Sequence, residues 1–147
     1  YMRKPNAAFN LANFMRANLY TAFGAMKIGC DILLKDEKVK LDRVTGHGGI
    51  FKTKGVAQSF MAAALETSVT VLDNAGEGGA WGIALLAAYM DDKKEGESLG
   101  DYLDQRIFAD AEGTTMDCDP ADVEGFAAFM EGYKAGLAVE KAAVENY

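Results

Sequence analysis

Apolar residues recur three or four positions apart at Phe9, Ala12, Met15, Leu19, Phe23, Met26, Cys30 and Leu33. That spacing predicts one long helix, with Asn6 as its cap. At about 1.5 Å per residue such a helix is roughly 40 Å long, and Gly24 and Gly29 on its second half mark places of close packing. After the polar run Lys35–Lys38, the segment Val39 to Thr45 alternates, with Val39, Leu41 and Arg43 on one side and Lys40, Asp42 and Val44 on the other. This predicts a strand. It runs into Val44-Thr-Gly-His-Gly-Gly-Ile50, a glycine-rich turn, and then into a helix from Val56 to Leu65. Ser68 to Leu72 is short, β-branched and apolar enough to be buried on both faces, as a parallel strand reached through a helix should be. A second glycine-rich turn, Asn74 to Gly79, leads to a helix from Ala80 to Met90. That helix is apolar nearly all the way round, which predicts burial between layers.

Beyond the polar link Asp91 to Glu97, Ser98-Leu-Gly-Asp101 has the spacing of a capping box and opens a short helix through Phe108. Asp119-Pro120 places a cap and a first-turn proline before a final long helix carried by Val123, Phe126, Met130, Tyr133, Leu137, Lys141 and Val144. Thr114 to Met116 is a candidate third strand. The expected fold is α/β, helix-rich with a short parallel sheet. Residues 1–147 are read as one domain, with a core over 1–90 and a helical extension over 91–147. A two-stranded sheet leaves both edges open, so partner strands are expected before Tyr1 in a longer parent, and the open edges allow a homo-oligomer.

Composition narrows the functional classes. With 147 residues and 50% of them hydrophobic, the chain suffices for one core. Its net charge of −7 opposes a general role on nucleic acid or on anionic membranes. Any anion site must therefore be local. Between Asp42 and Glu66 there is no acid, but Arg43, His47, Lys52 and Lys54 are present. Charged residues interrupt every apolar run, so no membrane span is expected. Cys30 and Cys118 are too far apart in sequence for a metal quartet or redox pair and read as plain thiols of a cytoplasmic protein.

The glycine turn carries the candidate chemistry. Adjacent glycines after a strand allow positive φ and leave the backbone open to close approach, while a following helix start presents unsatisfied N–H groups. A nucleotide or phosphate suits such a place. His47 reads as a turn residue and Trp81 as core. Asp117, Asp119 and Asp122 lack the glycine and terminal glutamate of a calcium loop, so capping explains them better.

Gly48-Gly49 after a strand, Lys52-Thr53, Gln58 in the next helix, the short strand with Val69 and Val71, and Ala80-Trp-Gly-Ile-Ala-Leu-Leu-Ala87 succeed one another over about 45 residues. In that order and spacing they resemble the C-terminal, nucleotide-binding domain of the FGGY carbohydrate kinases, in a ribulokinase- or xylulokinase-like form. The resemblance implies part of an actin-like ATPase fold with ribonuclease H-like sheets. It assigns Gly48 and Gly49 to the adenosine motif, lets Ile50, Phe51, Lys52 and Thr53 line the base pocket, and puts Glu77 and Gly79 at a second nucleotide-side turn. It also implies ATP and Mg2+ bound by the full-length parent, and a sugar, a pentulose, held by a lobe outside this chain. The family's catalytic aspartate and phosphate loops lie upstream, so no catalytic residue is assigned here and the chain alone is expected to be inactive. Ile50 stands where many members have a third glycine, and an alanine near Ala62 replaces the aspartate that usually follows the helical glutamine. A second reading is a non-catalytic actin-like or other α/β assembly module with structural glycine turns.

Overall fold

The computed structural model describes residues 3–73 and 78–147. They divide into two compact units, Tyr1–Asp42 with Phe60–Thr67 and Cys118–Tyr147, and Arg43–Ser59 with Ser68–Asp117.

The first unit is built on two long helices, α1 (Leu11–Asp31) and α5 (Pro120–Glu145), with the later residues of α2 (Val56–Leu65). Helix α1 starts later than Asn6 would place it, because Asn10 is the cap, its Oδ1 accepting from the Asn13 N–H at 2.8 Å. The chain continues past Asp31 as a wider π-type turn, Ile32–Asp36. The core gathers around Tyr20, whose ring meets the edges of Phe60 and Phe126 at centroid distances of 5.2 and 5.0 Å. Gly24 gives the close approach its position suggested, since a Cβ there would lie 2.8 Å from the Tyr133 ring. Gly29 does not; nothing stands within 4 Å of its Cβ position. Asp119 and Pro120 open α5 as expected, with the Asp119 carboxylate accepting from Ala121 N–H at 2.7 Å. The ends of the α1 stripe, Phe9, Met15 and Leu33, remain exposed.

The second unit holds a three-stranded sheet of order β1 (Val44–Gly46), β2 (Val69–Leu72), β3 (Gly113–Met116). Strand β1 pairs with β2 in parallel, Val44 opposite Val69, as a strand–helix–strand crossover requires. The candidate strand at Thr114 is real and antiparallel to β2, Val71 opposite Thr114, so the sheet is mixed where a parallel one was expected. Two other expectations fail. Only the end of Val39–Thr45 is strand, because Val39 and Leu41 are exposed and no apolar face is covered there among the described residues. Strand β2 buries Val69 fully but leaves its other residues half-exposed.

Helices α3 (Gly78–Asp92) and α4 (Leu99–Tyr102) complete this unit. Helix α3 is not buried between layers, for Ile83 and Met90 are 69% and 79% exposed. Ser98 caps α4 by accepting from Asp101 N–H at 3.1 Å, and the helix runs on to Ile107 in π-type geometry. Arg106 ties the ends of these helices together, donating to the Asp92 and Glu97 carboxylates at 2.9 and 3.0 Å.

Candidate functional site

The glycine turn begins where β1 ends. Gly46 is buried because the Phe51 ring folds back over it; a Cβ at Gly46 would lie 2.5 Å from the ring. Gly48 then takes φ +109°, a conformation L side chains rarely adopt, and its carbonyl accepts from Phe51 N–H at 3.0 Å. Gly49–Lys52 forms a single 3-10 turn, and the full helix α2 begins only at Val56, after Gly55 at φ +78°. Positive φ thus belongs to Gly48 and Gly55, not to Gly49.

This turn and the ends of two strands enclose a cavity of about 220 Å³. Phe51, Lys52, Thr53, Lys54 and Gly55 line it from the turn, and Val71, Leu72, Asp73 and Thr114 from the sheet. Its place is at the carboxyl end of β2, beside Thr114 of the antiparallel β3. Gln58 bridges the two sides: its Nε2 donates to Val69 O at 2.8 Å and to Thr114 O at 2.7 Å. Two lysines against one aspartate give the lining a positive bias.

A second, apolar cavity of about 270 Å³ lies along α3, lined by His47, Gly78, Trp81, Gly82, Leu85, Leu86, Leu99, Leu103 and Phe108. Trp81 stands half-buried, edge-on to Phe108 with centroids 5.5 Å apart. His47 packs against the start of α3, where a Cβ on Gly78 would come within 3.0 Å of its Nδ1.

Of the residues read from sequence as binding positions, Phe51, Lys52 and Thr53 come together on the first cavity. Gly48, Gly49 and Ile50 shape the turn without lining that cavity. Gly79 lies in the first turn of α3 with open space around it, and Glu77 lies outside the described residues. Gly46, Gly55, Asp73 and Thr114 belong to the turn or the cavity without being among the positions expected from sequence. Gly46 and Gly55 bracket the turn in sequence and were the readable signal, whereas Thr114 reaches the site only through the antiparallel pairing of β3. The acidic trio has structural partners: Asp119 caps α5, Asp117 accepts from Ser68 Oγ at 2.6 Å and Asp122 pairs with Arg16 at 3.1 Å. Among the described residues no group of three or more His, Cys, Asp or Glu could hold a metal ion. Cys30 and Cys118 are free and half-buried.

Compared with known proteins, residues 2–90 match the sequence model of the FGGY family of carbohydrate kinases, C-terminal domain. No curated protein and no solved structure matches the chain. Among the described residues no helix is long and apolar enough to cross a membrane.

Proposed function

The chain belongs to the FGGY family of carbohydrate kinases, and on that premise we propose that it supplies the adenosine-binding side of an enzyme that transfers the γ-phosphate of ATP to a sugar hydroxyl. The acceptor in this reading is a pentulose, held by a lobe outside this chain, and the protein works in the cytoplasm. The observation that carries it is the first cavity. A turn opened by Gly48 at φ +109° is followed by Phe51, Lys52 and Thr53, which line the cavity together with Val71, Leu72 and Asp73 at the carboxyl end of β2. An aromatic ring, aliphatic lysine stems and nearby backbone suit a planar base, and threonine hydroxyls suit a ribose.

Phosphoryl transfer depends on positioned phosphates, on a divalent ion that neutralises their charge, and on a base for the attacking hydroxyl. This chain's part is to bind and orient. A divalent ion bound with the phosphates of ATP would supply the charge neutralisation. The chain alone should therefore show no turnover. Membership of a kinase family does not favour the reading as an assembly module.

The experiment supplies the protein carrying both lobes with ATP, magnesium and a panel of pentuloses, hexoses and glycerol. ATP-dependent phosphorylation of a pentulose is expected. Turnover with another sugar alone would correct the acceptor, and turnover with none would overturn the kinase reading.

A further inference from the structure

Gln58 is the buried polar side chain among the described residues, 3% exposed, and it sits in the first turn of α2 directly after the segment that lines the cavity. Its amide is fully used. One N–H donates to Val69 O on β2 and the other to Thr114 O on β3, at 2.8 and 2.7 Å, while Oε1 faces the Thr114 hydroxyl at 3.4 Å. The amide orientation is set by these partners, because two carbonyls demand donors and a hydroxyl can supply one. Val69 and Thr114 belong to strands that are themselves paired, so one side chain fastens the helix start to both at once.

We propose that Gln58 is the positioning residue of this cavity, setting the spacing between the 51–55 turn and the strand ends so that a nucleoside fits between them. The inference rests on the reading of the cavity as the adenosine site. Gly55, at φ +78°, has no side chain to pack and is a weak brace for the turn, with only the Met116 methyl 3.5 Å from its Cβ position. Phe51 anchors the front of the turn on Gly46, and Gln58 anchors its back on the sheet. Without the second anchor, Lys52, Thr53 and Lys54 keep their chemistry but lose their distance from Val71, Leu72 and Asp73. No other residue type of this shape serves. Leucine donates nothing, ionised glutamate sets oxygen against oxygen, and asparagine keeps both donors but is one methylene short.

The test compares wild type with Gln58→Leu and Gln58→Asn by hydrogen exchange read on peptides and by ATP titration of the same samples. Exchange should rise tenfold or more in peptides covering 49–56 and 69–73, with α5 peptides unchanged, and ATP affinity should fall at least tenfold in both variants. Gln58→Asn retains its donors and serves if Gln58→Leu does not fold. Wild-type local exchange with ATP affinity within twofold of wild type, or exchange raised evenly across every peptide, would overturn the proposal. If wild type itself binds no ATP, the adenosine reading fails while the exchange pattern still decides whether Gln58 positions the turn.

Discussion

The Phe51 ring occupies the space that any side chain on Gly46 would need, its Cε1 and Cζ standing 2.5 and 2.6 Å from the Cβ position. Phe51 is itself buried, so it has little room to retreat. Gly46→Ala should therefore destabilise the protein by about 1–3 kcal/mol, as overpacking does. A lower denaturant midpoint at unchanged slope would show this, and restoration by Gly46→Ala combined with Phe51→Leu would assign the cost to the ring.

Two glycines of α1 should respond in opposite directions. Gly24→Ala drives a methyl to within 2.8 Å of the Tyr133 ring and should cost about 1–3 kcal/mol. Gly29→Ala meets nothing within 4 Å and should stabilise the helix by about 0.5–1 kcal/mol. Thermal melts of the two variants check the pair, and equal effects would contradict the packing described.

Backbone conformation separates the neighbouring glycines of the turn. Gly48→Ala forces an L residue to φ +109° and should cost on the order of 1–2 kcal/mol, whereas Gly49→Ala lies in open space and should be nearly neutral. Denaturant unfolding of both variants distinguishes them; a larger loss from Gly49→Ala would contradict the geometry.

A helix-forming run made α2 readable, a short β-branched apolar run made β2 readable, and Pro120 with Asp119 fixed the start of α5. These signals are local, set by side-chain period and capping. The features that escaped depend on neighbours distant in sequence. Val39 and Leu41 have a strand's alternation but no face to cover them, and the apolar girth of α3 implied a burial that the described residues do not provide. The site divided in the same way. The glycine turn was legible because positive φ demands glycine, while Thr114 and the bridging role of Gln58 come from strand pairing that no short motif encodes.

Stability should fall at both pH extremes through one ion cluster in the helical unit. Lys27 lies 3.2 Å from Asp31 and 2.9 Å from Glu66, and Lys35 lies 3.1 Å from Asp31. Burial pulls the Asp31 carboxyl upward, but hydrogen bonds from Lys35 and Lys27 outweigh it and hold its pKa below the ordinary carboxylate value. Its stabilisation is present above the unfolded pKa and is lost as pH falls through the folded one. Burial likewise opposes charge on Lys27, yet Glu66 and Asp31 raise its pKa overall. That contribution is complete below the ordinary lysine pKa and is lost as pH rises through the folded value. Unfolding free energies against pH should show a shallower acid limb in Asp31→Asn and a shallower alkaline limb in Lys27→Met, each about 0.5–1 kcal/mol after allowance for solvent screening. Limbs identical to wild type would remove this cluster from the account.

The central claim is that the turn after β1 is where adenosine meets the protein. The most direct measurement is calorimetric titration of the chain and of Thr53→Trp with ATP and ADP, with and without magnesium, beside a thermal melt of each. Thr53 is exposed and lines the cavity, so the larger side chain should fill that space while the variant folds with a near-native melting temperature. Saturable binding by wild type, even at about millimolar affinity, equivalent to roughly 4 kcal/mol, and its loss in the folded variant is the expected result. Equal affinity in the folded variant and in wild type would contradict the assignment of nucleotide binding to this turn.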